Sequence, residues 1–192
     1  MARPKQFDPD VAVATAMDVF WSKGYATTTP ADLVDALGIG KGSLYNAFDS
    51  KRSLFERALR LYGDRRVAGL KAALEGPGLL KPRLEAALQQ LANRQASAGA
   101  VRGCLAVNSA SEFAEHDEDL RGVVQQIFER MEQVIRRAVE RGQKTGEFSR
   151  ATDAGSVASL LLASMLGMSV LAKAGAGARR LQRVTRAIMA AM

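Results

Sequence analysis

The sequence predicts an all-α protein of about nine helices, with a small three-helix domain at residues 1–62 and a larger helical domain at residues 63–192. Apolar residues recur at intervals of three and four along nearly the whole chain, which is the spacing of one buried helix face. Glycine and proline interrupt that spacing repeatedly, and each interruption predicts a helix end. No run alternates apolar and polar residues as a half-buried strand does. These observations together favour a fold without a sheet.

The first predicted helix begins after Asp8, which can cap it, has Pro9 at its first position and runs to Gly24. Trp21 is predicted either to join the core or to line the junction between the two domains. The remaining predicted core residues of this helix are Val11, Ala14, Ala16, Val19 and Phe20.

A helix-turn-helix pattern follows between residues 29 and 48. Thr29 and Asp32 form a predicted capping box at the start of the second helix, and Gly38 ends that helix. The third helix, residues 41–48, is about two turns long and packs inward through Leu44 and Phe48. Its outward residues are Lys41, Gly42, Ser43, Tyr45 and Asn46. A helix face with a cation, a hydroxyl, a phenol and an amide suits the major groove of DNA.

The larger domain begins inside a long fourth helix, which Ser50 caps and which runs from Lys51 to about Leu74. The sequence Glu75-Gly76-Pro77-Gly78 ends this helix. Further helices are predicted from about residue 82 to 97, 103 to 115, 121 to 144, 152 to 174, and 178 to the C-terminus. Residues 98–100 are a predicted loop and residues 115–119 a predicted acidic linker.

The segment from Phe20 through Leu54 resembles the N-terminal domain of the TetR family of bacterial transcriptional regulators. Small and aromatic residues recur there together at fixed spacing across about 35 positions, whereas the rest of the chain resembles the family only in layout. The matching residues are Phe20, Gly24, Tyr25, Thr28, Thr29, Asp32, Leu33, Gly38, Ile39, Lys41, Gly42, Ser43, Leu44, Tyr45, Phe48, Lys51, Leu54 and Phe55.

The resemblance implies roles for individual residues in binding double-stranded DNA. Lys41 and Gly42 match the positions that approach base edges, and Asn46 shares their outward face. Residues matching positions that hold phosphates are Thr28, Thr29, Ser43, Tyr45 and Lys51. Arg3 and Lys5 are expected to form an arm along the DNA. The alternatives are a core aromatic at Tyr45 and solvated charges at Lys41 and Lys51.

The resemblance also implies a homodimer, because two short recognition helices can then read half-sites about one helical turn (34–36 Å) apart. The final helix pair carries the apolar surface predicted to form this dimer, with an internal core contact as the alternative. The predicted interface residues are Leu161, Leu162, Met165, Met168 and Ile188. The fourth helix joins both domains and is the expected lever between them.

A pocket for an unknown small-molecule effector is expected between the helices from residue 82 to 145 and the helix that begins near residue 152. Its predicted lining residues are Leu88, Leu91, Leu105, Phe113, Ile127, Met131 and Met165. Plain core packing is the alternative for each of them. These residues include no arginine clamp or metal-ligand spacing, so they do not indicate a ligand class.

Cys104 is the only cysteine of the chain, and it is predicted in the first turn of a helix beside Arg102. A guanidinium and a helix N-terminus both favour the thiolate, so Cys104 is a candidate sensor of oxidants or electrophiles. A similar Gly-Cys-Leu run, followed by Asn and a later Glu, occurs in one branch of the family, some of whose members respond in this way. The alternative is a small buried apolar residue.

Composition limits the other function classes. With one cysteine and a polar N-terminus lacking a signal-peptide core, a cytoplasmic protein is expected. The net charge of +7 is a weak argument for DNA binding, because residues 1–62 carry eight basic and seven acidic side chains. A hydrolase dyad of Cys104 and His116 is excluded if one helix separates them by about 18 Å. No cofactor is predicted, and the remaining acids near His116 (Glu112, Glu115, Asp117, Glu118 and Asp119) form too sparse a metal set.

The sequence therefore predicts a ligand-responsive transcriptional regulator and not an enzyme. A repressor that binds a palindromic operator as a homodimer is the main hypothesis. The alternatives are a thiol sensor acting through Cys104 and a non-specific architectural DNA-binding protein, which would show no preference for a palindrome.

Overall fold

The computed structural model describes residues 7–96, 102–113 and 117–192, apart from the side chains at positions 95 and 96. Within those ranges the protein consists of nine helices and no strand, so the predicted fold class is confirmed. The helices are α1 (Pro9–Lys23), α2 (Pro30–Leu37), α3 (Lys41–Phe48), α4 (Lys51–Leu74), α5 (Leu80–Ala96), α6 (Leu105–Phe113), α7 (Glu118–Thr145), α8 (Ala154–Lys173) and α9 (Ala178–Ala190). The predicted arm residues Arg3 and Lys5, the loop at 98–100, and Glu115 and His116 lie outside the described residues.

Helix starts follow the predicted capping chemistry. Asp8, Thr29 and Ser50 each accept a hydrogen bond from a backbone N–H in the first turn of the helix that follows, so these three caps are confirmed. The capping box between Thr29 and Asp32 is also present. Asp117 caps α7 in the same manner, which corrects the predicted acidic linker because Glu118 and Asp119 already belong to that helix.

The small N-terminal core is built by α1, α2, α3 and the first half of α4. Phe20 and Phe55 meet edge to face with ring centroids 5.0 Å apart, and Leu33 and Phe48 are fully buried beside them. Val11 was predicted in this core but is 61% exposed. The buried face of α1 is rotated from the predicted stripe, and its buried residues are Ala12, Val13, Ala16, Met17 and Phe20.

The C-terminal core lies between α4 and α8, with α7 packed against both. At Gly63 the backbone of α4 passes so close to α7 that an added Cβ would lie 2.5 Å from Cγ1 of Ile127. Glycine is therefore required at this crossing. The same core continues along α7 through Leu120 and Ile135, which are fully buried.

α8 contributes to the core through the residues that were predicted to form the dimer interface. Leu161, Leu162, Met165 and Met168 are buried within one subunit, because α5, α7 and α9 pack against them. This corrects their predicted role, and Ile188 on α9 is half-buried. The apolar residues of α8 that remain at the surface are Leu160, 58% exposed, and Val170, 50% exposed.

Among the described helices, α8 is the one long and apolar enough to cross a membrane by length and composition, with a mean hydropathy of 1.8. The hydropathy of α8 is high because one face of the helix is buried in the core and the opposite face is also apolar.

Candidate nucleic-acid interface and the contacts that connect it

α3 presents the outward face that its sequence predicts. Lys41, Gly42, Ser43 and Asn46 are exposed, and Tyr45 is half-buried. The opposite face of α3 holds the helix in place through Leu44 and Phe48, which are buried. An added Cβ at position 42 would meet no atom within 4 Å, so packing does not require glycine here. The missing side chain leaves the backbone of α3 accessible from outside.

The two threonines before α2 differ in accessibility. Thr28 is 1% exposed and donates its hydroxyl hydrogen bond to the carbonyl of Gly24, 2.6 Å away, so its side chain does not reach the surface where a phosphate would lie. Thr29 is exposed, but both its N–H and its hydroxyl donate to the carboxylate of Asp32. A hydrogen bond from Lys23 and those from Thr29 lower the pKa of that carboxyl to about 2.

Lys51 connects the start of α4 to the loop between α1 and α2. Its Nζ donates to the carbonyls of Tyr25 and Thr28 at 2.9 and 3.0 Å and lies 4.2 Å from the centroid of the Tyr25 ring. An ammonium has three donors, so one remains for the phosphate contact that the sequence predicts. The main role of Lys51 in this structure is therefore to fix the loop between α1 and α2.

The same loop is held from the other domain by α6. The carboxylate of Glu112 accepts hydrogen bonds from the backbone N–H groups of Tyr25 and Ala26, at 3.3 and 2.6 Å. Trp21 on α1 donates from Nε1 to the carbonyl of Gly103, just before α6. Trp21 thus lies at the domain junction, the second of its two predicted positions.

A second connection joins α4 to the start of α7. The guanidinium of Arg52 binds Asp117 through two bonds of 2.7 and 2.8 Å and reaches Asp119 at 3.0 Å. The bonds from Arg52, followed by that from the backbone N–H of Leu120, lower the pKa of Asp117 to about 2. Glu112, Asp117 and Asp119 belong to the acids that were too sparse for a metal set in the sequence, and they instead hold the two domains together.

The predicted effector residues are all buried, and two of them line one cavity in the part of the chain that the structure describes. Phe113 packs at the domain junction, with its ring centroid 5.1 Å from that of Tyr25 and 5.4 Å from that of Phe55. Leu91 and Met165 line a cavity of about 160 Å³ between α4, α5 and α8. The other four predicted effector residues stay predictions, and they are Leu88, Leu105, Ile127 and Met131.

This cavity has polar walls that the sequence prediction missed. Arg65, Arg66 and Arg94 all line it, together with Gln90, and we refer to it as the arginine cavity. The signal in the sequence was the Arg65-Arg66 pair in the middle of a helix, where the apolar spacing gave no reason to expect a site.

Cys104 lies directly before α6 and is 7% exposed. Its Sγ accepts a hydrogen bond from the hydroxyl of Tyr62 at 3.3 Å. Burial, and then the neighbouring thiol, raise the pKa of Tyr62 well above its usual range. The guanidinium of Arg102 is directed towards α1, where it binds Asp18 at 3.0 Å and lies over the Trp21 ring.

Cys104 also forms part of the wall of a cleft of about 320 Å³ between α1, α6 and α8. We call this the Cys104 cleft, and its charged lining residues are Lys23, Arg102, Glu112 and Lys173. A reagent in the cleft would approach the thiol from the domain junction.

Comparison with known proteins gives two family matches that together cover most of the chain. Residues 12–58 match the bacterial regulatory proteins of the tetR family, and residues 81–188 match the tetracyclin repressor-like C-terminal domain. The chain is 31% identical to the uncharacterized HTH-type transcriptional regulator YezE of Bacillus subtilis, over 95% of this chain and 94% of that protein. It is also 31% identical to the HTH-type transcriptional repressor ComR of Escherichia coli, over 95% of this chain and 87% of that one.

Solved structures agree with these relatives. A cysteine mutant of the TetR family transcriptional regulator CifR, complexed with 26-base-pair double-strand operator DNA, superposes with a TM-score of 0.87. The two chains are 30% identical, and the match covers 99% of each. The reduced form of NemR from E. coli is 23% identical over 94% of each chain, with a TM-score of 0.85, and shows the shared fold.

Proposed function

Since the chain belongs to the TetR family of bacterial transcriptional regulators, we propose that it is a ligand-responsive repressor that binds a palindromic operator as a homodimer. The observation that carries this proposal is the uncovered polar face of α3. The same family membership supports a regulatory and not a catalytic role, and it supports a cytoplasmic location, where operator DNA is found.

α3 would lie in the major groove with its first residues nearest the bases. Lys41 stands at the helix N-terminus, where its ammonium and the free backbone N–H groups both favour contact with DNA. Gly42 allows the backbone to approach closely, and Ser43, Tyr45 and Asn46 supply donors on the same side. Lys51 and Thr29 are proposed at the phosphates, whereas the buried side chain of Thr28 is left out of this face.

The dimer would form through the outer face of α8. Leu160, Ala163, Gly167 and Val170 follow one another at intervals of three and four, so they share one side of the helix. Leu160 and Val170 are at least half exposed, which is unusual for side chains of this size on a helix whose opposite face is buried. A second copy of α8 would cover this strip and set the distance between the two α3 helices.

An effector would act by favouring a conformation in which that distance no longer fits the operator. The path from the larger domain to α3 runs through the loop after α1, which Glu112 and Lys51 hold from two sides. α4 provides the second path, because it begins beside α3 and lines the arginine cavity with its second half.

The test is a selection of binding sites from random DNA duplexes, using the full-length chain and the variants Lys41→Ala and Tyr45→Ala. Arg179→Ala is the matched control, because Arg179 is an exposed cation on α9. A regulator recovers a palindrome with the wild type and the control, and loses or blurs it with both α3 variants. Weak binding without any motif, unchanged by the variants, would instead identify a non-specific architectural protein.

A second candidate is regulation through the thiol of Cys104. It is favoured because a residue only 7% exposed nevertheless lines the Cys104 cleft. Peroxide would be attacked by the thiolate, giving a sulfenic acid on Cys104 as the O–O bond breaks and hydroxide leaves.

The variant Cys104→Ser tests this candidate without interference, since the chain has no other cysteine. Wild-type protein should release operator DNA when treated with peroxide and gain the mass of one oxygen, whereas the serine variant should do neither. Equal release of operator DNA from both proteins would show that Cys104 serves only as a packed core residue.

A further inference from the structure

The arginine cavity is open to solvent on one side and is lined by three helices. α4 contributes Arg65, Arg66 and Leu70, α5 contributes Leu91 and Arg94, and α8 contributes Met165. Its volume is about 160 Å³, whereas a water molecule needs only roughly 10–15 Å³ of such space. The cavity is therefore large enough for a small organic molecule.

Arg66 is the residue whose environment is incomplete. Its Nε is buried and has no hydrogen-bond partner, the one such side-chain atom among the described residues. Burying a guanidinium N–H without an acceptor is unfavourable, because water is removed and nothing replaces it. An acceptor in the cavity would correct this deficit.

The cavity also concentrates positive charge. Three guanidinium groups line it, and the described lining includes no carboxylate. Elsewhere the protein pairs arginine with acids, as in Arg52 with Asp117, Arg60 with Glu56 and Arg130 with Asp64. Arg65 and Arg66 form no ion pair with any residue in the described ranges, so an anion is the complement that this site lacks.

The remaining lining is apolar. Leu70, Leu91 and Met165 are buried side chains that form part of the wall, and Ala73 and Ala87 add small apolar surfaces. An inorganic anion would leave these surfaces uncovered. A molecule with one carboxylate and a short aliphatic or aromatic body would satisfy both kinds of surface.

We infer that the arginine cavity binds a small organic carboxylate, with the carboxylate held by Arg66 and its neighbouring arginines and the body packed on Leu70, Leu91 and Met165. This inference rests on the proposed function in one respect, which is that the bound acid is the effector of the repressor. Arg66 lies on α4, so an acid drawn towards it acts directly on the helix that leads to the DNA-binding domain.

The experiment measures thermal unfolding and calorimetric binding of the full-length chain with benzoate and hexanoate. Benzamide and hexanamide are the neutral counterparts, and inorganic phosphate is the anion without an apolar body. The variant is Arg66→Met, which keeps much of the side-chain length and removes the charge, and Arg179→Met on α9 is the matched control.

The carboxylates should raise the melting temperature of the wild type and the control by about 3–5 °C at tenfold excess over Kd. Arg66→Met should bind them at least about tenfold more weakly, while the amides and phosphate should have little effect on any protein. The ligand-free variant should melt no lower than the wild type, because the buried N–H of Arg66 that has no partner is removed. This second result separates loss of binding from loss of folding.

Equal stabilisation by the amides, by phosphate or in Arg66→Met would overturn the inference, as would no stabilisation by either acid up to millimolar concentrations. Failure of the proposed function gives a different pattern, in which the acids bind but the protein selects no operator. If an operator is selected and the acids neither bind nor release it, the inference fails alone.

Discussion

Two helices of this protein, α3 and α8, each leave one face uncovered, and the two faces have opposite chemistry. α3 is eight residues long and presents Lys41, Ser43 and Asn46. α8 is 20 residues long and presents Leu160 and Val170. The first face offers charge and hydrogen-bond donors to a polyanion, and the second offers apolar surface that only another apolar surface can cover. An uncovered face therefore indicates the class of its partner before the partner is known.

The largest effect is expected from placing charge on the α8 face. The double change Leu160→Glu and Val170→Glu would bury uncompensated carboxylates in the dimer, which costs about 3–5 kcal/mol. The dimer dissociation constant should therefore rise at least about a hundredfold. Sedimentation equilibrium measures it, and Leu79→Glu is the control because Leu79 is equally exposed but lies in the loop before α5. A double variant that stays dimeric would place the interface elsewhere.

A smaller effect is expected on the α3 face. Lys41→Ala should weaken operator binding by about 1–3 kcal/mol and leave binding to random DNA nearly unchanged. Fluorescence anisotropy measures both affinities. Equal losses on operator and random DNA would instead make Lys41 a phosphate contact.

Salt provides a direct contrast between the two faces. The logarithm of the operator affinity should fall linearly with the logarithm of the salt concentration, because counterions are released on binding. The slope should be about −0.9 for each phosphate contact. The dimer dissociation constant should change little over the same range, since apolar contacts release no counterions. A steep salt dependence of dimerisation would contradict the assignment of the α8 strip.

The contact between Glu112 and the loop after α1 is expected to have a still smaller effect. Glu112→Gln keeps the shape but replaces a charged acceptor with a neutral one, a loss of about 1 kcal/mol. Hydrogen exchange should quicken at the amides of Tyr25 and Ala26, which Glu112 holds. Glu118→Gln is the control because Glu118 is exposed on α7. Unchanged exchange at both amides would show that Lys51 alone fixes the loop.

The smallest effect concerns pH. Asp117 has its pKa lowered from 3.8 to about 2 by Arg52, so its stabilising contact is complete above pH 4 and is lost as pH falls towards 2. Asp117→Asn should melt about 2 °C below the wild type at neutral pH, a small value because the pair is partly exposed. The difference should shrink between pH 4 and pH 2, as followed by circular dichroism. A difference that persists at pH 2 would point to lost capping of α7 and not to the ion pair.

Local chemistry was sufficient to predict where helices begin. Asp8, Thr29 and Ser50 act on backbone groups within three residues, so the sequence contains the whole interaction. Apolar spacing was less informative for α8, because both of its faces are apolar and spacing cannot tell which one the subunit buries.

The site contacts were not predictable in the same way. Glu112 binds a loop 86 and 87 positions earlier in the chain, and Arg66 and Arg94 line one cavity only because α4 and α5 pack together. Polar residues at such separations follow no period, so no sequence pattern connects them. Thr28 was misassigned for a related reason, since its hydroxyl found a carbonyl four residues earlier and turned inward.

The close approach of α4 to α7 at Gly63 has a mechanical consequence. Because α4 rests against Ile127 of α7 at that point, Gly63 can serve as a fulcrum for the helix. The arms on either side, to Lys51 and to Leu74, are about 18 and 17 Å long at 1.5 Å per residue. With arms so nearly equal, a rigid α4 tilting on Ile127 moves its two ends by similar amounts in opposite directions. Arg66 lies on the Leu74 side of Gly63, so a ligand that draws it inward by a fraction of an ångström would push the start of α4, and the α3 helix beside it, outward.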